Sequence, residues 1–490
     1  MPRYSMNPKI SVGVVYVAAM FMSIMDITIV NVALPAIGRQ FHETTAALDS
    51  VAVGYLVSLA VFIPAAGWMG DRFGSKRILL LAVAIFTGAS VLCGLSDSLS
   101  QLVMFRILQG VGGGMMTPVG LAMLFRAFPP AERVRASSIL VIPTALAPAL
   151  GPVLGGLLVT EFSWRWVFFV NLPFGIVAIV FGILFLEGHR EPHPGAFDLP
   201  GFLLAGIGFA LVMFGISEGP NRGWATPSIL ASIAVGAVML AVMVRVELQS
   251  AKPILKLRLF GNRLFRSTSL VLTVGMAAFL GVLFVAPLFF QIALGLSALQ
   301  SGLNTFPEAI GVMVGAQLAS RIFYPRFGPR RLVACGLVGV AVVMTLMTQI
   351  GLTTDLWWMR VLMFAMGLTM SQAFISCQAA AFATISLPDT GSASSIFNSG
   401  RQLGSAVGVA LLATVLAAVG TTQQVDGHTV PNLTAYHAAF VTSAGIALIG
   451  AAIALTIRDA DAASTMVRRL TTKVPARSPT PTEASPQGAG

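Results

Sequence analysis

Apolar residues in this chain neither alternate with a period of two nor recur with a period near 3.6. They fall in long runs, separated by short stretches rich in charge, proline or glycine. A run of about 18 or more apolar residues reads as a bilayer-spanning helix, because only a helix closes all its own backbone hydrogen bonds where the solvent offers none. Fourteen such runs are predicted, at about 11–37, 47–70, 77–96, 101–125, 136–160, 164–187, 198–217, 225–246, 267–291, 301–322, 331–351, 356–383, 391–419 and 436–457.

Composition supports this reading. Of 490 residues, 56% are hydrophobic and 10% charged, whereas a soluble domain carries about 25% charged residues. The first run follows Arg3 and Lys9 and is too long for the core of a cleaved signal, so it is expected to be a retained span. Cys93, Cys335 and Cys377 all fall inside runs, with no disulfide framework or metal-ligand spacing. The net charge of +11 raises the question of nucleic acid, and its distribution answers it. With both ends placed in the cytoplasm, inside segments hold 24 of the 30 Lys and Arg and outside loops hold 4 (Arg39, Arg165, Arg222, Arg360). That asymmetry is the positive-inside bias of a membrane protein. The basic charge marks the cytoplasmic face and its contact with anionic lipid headgroups.

The chain also repeats itself. Arg72-Phe73-Gly74-Ser75-Lys76-Arg77 returns as Arg326-Phe327-Gly328-Pro329-Arg330-Arg331, an offset of 254 residues. Arg106 matches Arg360 at the same offset, and Gly151 and Gly155 match Gly404 and Gly408 at 253. A duplication beginning near residues 11 and 265 leaves about 78 residues after the sixth run for two extra helices. The expected organisation is therefore a six-helix bundle (1–190), two inserted helices with linkers (191–262), a second six-helix bundle (263–458) and a disordered tail rich in Pro, Ser and Thr (459–490).

A few polar residues stand out inside the runs. Asp26 lies near the middle of the first, where an acid costs about 3 kcal/mol to insert and is a functional candidate by default. It reads as a proton carrier, or as a carboxylate paired with Arg106, and the two readings are compatible because protonation competes with pairing. Glu308, after Pro307, reads as a second proton site, as a counter-charge for a cationic substrate, or as a residue near the outer headgroups. Asn31, Gln109, Gln291, Asn398, Arg401 and Gln402 are expected along the substrate path. Gln291, Gln372 and Gln378 have cavity lining as one reading, and for each of them interhelical hydrogen bonding is the safer expectation. Arg401 demands an acidic partner that the sequence does not name. His189 and His193 have metal-like spacing but sit among Glu191, Pro192 and Pro194, which read as a linker, so no metal is expected. No Gly-x4-Gly-Lys-Ser/Thr loop occurs, so no nucleotide cofactor is expected either. No nucleophile with its base and no paired carboxylates argue for an enzyme, and a duplicated body with a midplane acid fits alternating access better than a channel.

Four local patterns resemble one family, the fourteen-span drug:proton antiporters of the major facilitator superfamily. Gly67-Trp68-Met69-Gly70-Asp71-Arg72-Phe73-Gly74-Ser75-Lys76-Arg77 resembles its loop after the second span, and Phe105-Arg106-Ile107-Leu108-Gln109-Gly110 its fourth-span motif. Gly151-Pro152-Val153-Leu154-Gly155-Gly156 resembles the antiporter motif of the fifth span, and Met25 to Pro35 the first-span motif. Met69 departs from the smaller or aliphatic residue usual there. The resemblance implies an all-α major facilitator fold of two six-helix bundles plus two inserted helices. It further implies a conformational latch at Gly67, Gly70, Asp71, Arg72, Gly74, Lys76 and Arg77 with Arg326, Gly328 and Arg330 as its copy. A fifth helix, with Gly151, Pro152, Gly155 and Gly156, would seal the inward leak and favour export. The expected activity is proton-coupled export of lipophilic, cationic drugs from a bacterial inner membrane by a monomer, with protons and membrane lipids as the other partners. The alternative is a dedicated exporter of one endogenous lipid or secondary metabolite. For the inserted helices, a spacer and a lateral lipid-facing surface are the two readings.

Overall fold

The computed structural model describes residues 6–192, 197–250, 253–425 and 428–466. The first half is built from α1 (Pro8–Phe41), α2 (Thr45–Phe73), α3 (Ser75–Gly94), α4 (Leu99–Ala127), α5 (Arg133–Glu161), the single turn α6 (Trp166–Phe169) and α7 (Asn171–Phe185). Next come α8 (Leu199–Arg222) and α9 (Pro227–Gln249). The second half holds α10 (Arg263–Leu288), α11 (Ala298–Leu318), α12 (Tyr324–Met347), α13 (Leu356–Ala381), α14 (Thr390–Val419) and α15 (Leu433–Ala454), with the short α16 (Ala463–Met466) after it. The expected sixth span is thus broken into α6 and α7. A small antiparallel hairpin, β1 (Thr422–Val425) with β2 (His428–Pro431), joins α14 to α15.

Helix starts are written in polar residues at the run boundaries. Thr44, Ser98, Asp198, Asn262, Ser297, Asp355 and Asn432 each accept a hydrogen bond from a backbone amide of the first turn, which satisfies donors that no helical carbonyl reaches. The turn between α2 and α3 is a single residue, Gly74, at φ +97°. Its copy Gly328 has φ +72° and breaks α12 at the same point. A side chain is strained in that region of backbone space, so glycine at both positions follows from the geometry.

In the first half α4 packs on α2 and α3, and α1 on α5 and α7; the second half repeats this with α13 on α11 and α12, and α10 on α14 and α15. The halves meet along α2–α14 and α5–α11. The inserted α8 lies against both α2 and α14, closing one side of that junction, and α9 packs on α8. Large apolar side chains such as Val177, Val238, Ile183 and Val441 are exposed on the outside of the bundle, an arrangement that suits lipid and not water.

Twelve stretches among the described residues are long and apolar enough to cross a membrane. One of them, Gln300–Met347, is 48 residues long, about 72 Å at 1.5 Å per residue and more than twice the hydrocarbon thickness. It contains both α11 and α12, which run together through a π-helical turn at Ala319–Phe323. In α5 the apolar segment is the shorter Leu146–Glu161. The chain is a multi-pass membrane protein.

Candidate functional site

Asp26 sits in the middle of α1 with no exposed surface. Its Oδ2 forms an ion pair with Nη1 of Arg106 on α4, itself 1% exposed. Oδ1 accepts from Gln109 Nε2 at 2.8 Å and from Asn171 Nδ2 at 3.1 Å. Arg106 also donates to Gln109 Oε1 at 2.7 Å and through Nε to the Val51 carbonyl at 3.3 Å, and its guanidinium lies 4.3 Å from the centre of the Tyr55 ring. Asn171, the first residue of α7, reaches on to Ser90 Oγ at 3.0 Å. Side chains from α4 and α7 therefore converge on one carboxylate of α1, and α2 and α3 back them through Val51, Tyr55 and Ser90. A buried ion pair is tolerable only where its remaining lone pairs and protons are also bonded; here both Asp26 oxygens, and the Nε and Nη1 of Arg106, are bonded. Gln109, expected along the substrate path, is spent inside this cluster. No sequence signal marks Asn171 or Ser90: an Asn before Leu-Pro reads as a helix boundary, and a serine in an apolar run has no distinguishing pattern.

A central cavity lies where the halves meet. Tyr16 and Met20 of α1 and Thr117 of α4 form one wall; Phe374 and Gln378 of α13 with Phe397, Asn398 and Arg401 of α14 form the other. The free space is about 10 Å³, room for a single water. Asn398 and Arg401 are in this lining, and Gln402 borders a second small void with Ser399, Ile63 of α2 and Phe209 and Met213 of α8. Asn31 is exposed, one turn beyond Asp26 and outside its hydrogen-bond cluster. Gln291 is exposed in the π-helical end of α10. Glu308 is buried in α11, where its backbone carbonyl closely abuts Gly367 of α13; its carboxylate has no ion pair among the described residues and does not line the cavity. Gln372 donates to the Gly315 carbonyl of α11 at 2.8 Å, whereas Gln378 faces the cavity. The apolar lining residues carry no sequence signal, because a cavity wall and a lipid-facing wall use the same side chains.

At the basic face of the bundle the halves are locked together. Asp71, at the end of α2, accepts from Arg126 Nη2 of α4 at 2.7 Å. Its carboxylate also lies against Gly391 in the first turn of α14, where an added Cβ would come within 2.7 Å of Oδ2. A carboxylate at a helix N-terminus is held by the unpaired amides and the helix dipole. The Gly67 amide lies 3.0 Å from Ser395 Oγ of α14, and Ser394 Oγ donates to the Pro118 carbonyl at 2.7 Å. Arg133 donates to the Phe382 carbonyl, the Phe125 and Phe382 rings stack at 4.5 Å, and Lys256 pairs with Asp389 at 2.6 Å. Lys76 caps the end of α7 by donating to the Ile183 and Leu186 carbonyls. Gly70 packs on Val119 at ordinary contact distance, and Arg72 and Arg77 point to the outside.

The duplicated loop is finished differently. In the first half the Ser75 amide donates to the His189 carbonyl at 2.9 Å. In the second, Pro329 has no amide hydrogen to give; the next residue, Arg330, donates instead to Asp459 Oδ1 at 2.8 Å, and Gly328 packs on the same carboxylate. Arg326 and the Arg330 side chain are exposed. The linker placement of His189 stands beside its contact with Glu191 at 2.9 Å; His193 and most of the tail, 467–490, lie outside the described residues. No group of three or more metal-ligating side chains occurs among the described residues.

The glycines of the fifth helix face α1. A Cβ on Gly151 would collide with Thr28, and one on Gly155 would meet Ile29 at 3.0 Å and Val32 at 3.2 Å, while Gly156 faces open space. The side chain of Pro152 lies outside the described residues. In the second half Gly404 and Gly408 press on the carbonyls of Thr273 and Ala277 of α10. Small residues four apart bring both helix pairs into backbone contact, and in the first half that contact lies two residues from Asp26.

Comparison with known proteins agrees with this architecture. The family model described as Major Facilitator Superfamily matches residues 16–326 and 309–484. The chain is 32% identical over 407 residues to a Mycobacterium tuberculosis protein named multidrug resistance protein B homolog, covering 82% of this chain and 75% of that one. It is 33% identical over 410 residues to a Salmonella heidelberg protein named for multidrug resistance, MdtD, covering 82% and 85%. Among solved structures, the human organic anion transporter MFSD10 superposes with a TM-score of 0.64 at 18% identity, covering 92% of this chain and 100% of that one. The proton:xylose symporter XylE does so at 0.63 and 14% identity, covering 92% and 95%. At those identities the likeness is one of fold.

Proposed function

Since the chain belongs to the major facilitator superfamily, and is a transporter and not an enzyme, we propose that it is a proton-coupled exporter of lipophilic compounds working by alternating access. The observation that carries this reading is the Asp26–Arg106 pair, buried inside the first half with both carboxylate oxygens engaged. Protonating Asp26 removes the charge that holds Arg106, so loading a proton and rearranging α1 against α4 become one event. The adjoining α1–α5 contact at Gly151 and Thr28 passes that rearrangement to the junction with α11. One proton falling through about 100 mV releases about 2.3 kcal/mol, and a pH unit adds about 1.4. Together they sustain a cargo gradient of several hundredfold.

The reading includes fourteen spans. The twelve apolar stretches become fourteen when Gln300–Met347 counts as two helices and α5 counts as a span. Both chain ends then lie on the basic, cytoplasmic side of a bacterial plasma membrane. The latch at Asp71, Arg126 and Gly391 is shut on that side, which makes this the inward-sealed stage of the cycle. Multidrug-resistance names among the relatives support lipophilic toxic compounds as cargo. The acids that suggested a cationic cargo, Asp26 and Glu308, do not line the cavity.

The test is uptake of a panel of fluorescent lipophilic dyes of both charges into inverted vesicles under an imposed pH gradient. Wild-type accumulation of dye above its outside concentration is expected to collapse with a protonophore, and Asp26→Asn, correctly inserted, is expected to equilibrate the dye without accumulating it. Accumulation indifferent to the protonophore, or intact in Asp26→Asn, would contradict the assignment.

A further inference from the structure

The central cavity has one charged residue in its lining, Arg401. It lies on one face of α14 with Phe397 and Asn398, and no hydrogen bond or ion pair from its guanidinium to any described residue occurs. Arg401 is half-buried, and the acids that such an arginine would normally meet are engaged or placed elsewhere. Asp26 is held by Arg106, Gln109 and Asn171, and Glu218 of α8 by Arg222. Glu308 and Glu247 are outside the lining. On the same wall the buried Gln378 Oε1 lacks a hydrogen-bond partner, as does Ser399 Oγ beside the second void. The rest of the surface is Met20, Phe374 and Phe397, apolar and polarizable.

An uncompensated guanidinium in a low-dielectric wall is costly, and it presents five donors in a planar fork matched to carboxylate, sulfonate or phosphate. It makes no strut between the halves, because it bonds to neither. On the transporter reading above, we propose that Arg401 is the anchor of the cargo site and that the cargo is an amphipathic anion, its charged group on Arg401 and its apolar body against Met20, Phe374 and Phe397. The closed cavity has no room for it, so binding belongs to the stage in which α14 has moved away from α1 and α4. A free lipophilic acid and an anionic lipid headgroup share this chemistry.

The test is equilibrium binding of a matched pair, pyrenebutyrate and pyrenebutylamine, to the full chain in nanodiscs of zwitterionic lipid, with empty nanodiscs subtracted. Wild type is expected to bind the acid in preference to the amine. Arg401→Gln is expected to weaken the acid about tenfold or more, the worth of one charge-assisted contact, without weakening the amine, and Arg401→Lys to recover part of the loss. A thermal unfolding curve for each variant establishes that it is folded. Preference for the amine, no saturable binding of either probe, or acid binding within twofold of wild type in Arg401→Gln would overturn the proposal. If phosphatidylglycerol in the nanodisc displaces pyrenebutyrate from wild type, the headgroup is the occupant; if it does not, a free acid is, and both results support an anion site. Gradient-driven transport is measured in parallel. Binding at Arg401 without proton-driven movement would refute the coupling and leave the anion site standing.

Discussion

Each half of this molecule holds an arginine inside the membrane-spanning part of a helix, and the two are treated in opposite ways. Arg106 is wrapped: an acid, an amide side chain, a backbone carbonyl and an aromatic ring account for it within the first half. Arg401 faces the central cavity without a partner among the described residues. The two are not copies of one another. The duplicate of Arg106 is Arg360, which lies near the start of α13 and donates to Asn304 Oδ1 at 2.8 Å, and the position matching Asp26 is Leu280. The first half holds a charge pair and the second a cavity-facing charge. On the reading proposed above this is a division of labour, with proton chemistry in one bundle and cargo recognition in the other, meeting across Tyr16, Met20 and Thr117.

The contrast predicts opposite signs for the same substitution. Arg106→Met strands Asp26 as a buried, unpaired charge and is expected to lower stability by about 3–5 kcal/mol. Arg401→Met removes an unpaired charge, and the expected result is a stability unchanged or raised. Thermal unfolding in detergent reads both, and equal losses would break the comparison. A smaller effect is expected at the latch. Asp71→Asn removes the charge facing Arg126 and the start of α14, worth about 1–3 kcal/mol, and should shift the population toward opening at the basic face. Spin labels on the exposed Phe73 and Leu387 would report the longer distance; an unchanged distribution would remove Asp71 from the latch. The smallest effect belongs to the second-half copy. Asp459→Ala loses the cap on Arg330, about 0.5–2 kcal/mol, and is expected to lower the melting temperature while leaving the Phe73–Leu387 distances as they were.

Much of this is legible in the sequence, for definite reasons. Apolar runs and the 254-residue offset give helices and a duplicated body because lipid forces every span to be helical and a repeat preserves its turns. Gly74 and Gly328 could be read as turn residues because a positive φ leaves little other choice. Asp26 stood out through its cost, and Arg106 as the obvious partner. What was not legible depended on which way a face points. Gln109 turns inward to Asp26, Asn171 arrives from a helix start, and Asp459 reaches back from beyond α15 to cap a loop whose own acid is missing, since Pro325 stands where Asp71 does in the first half. The place of α8 against α2 and α14 depends on packing between halves, which no local pattern records.

The measurement closest to the central claim is proton movement during cargo exchange. Purified protein in liposomes holding a pH-sensitive dye would be given a cargo gradient with no imposed pH gradient. The account predicts that wild type moves protons against the cargo, and that Asp26→Asn still exchanges cargo across the membrane but moves no protons. Proton flux that persists in Asp26→Asn would contradict it, and would move the coupling site out of the first half.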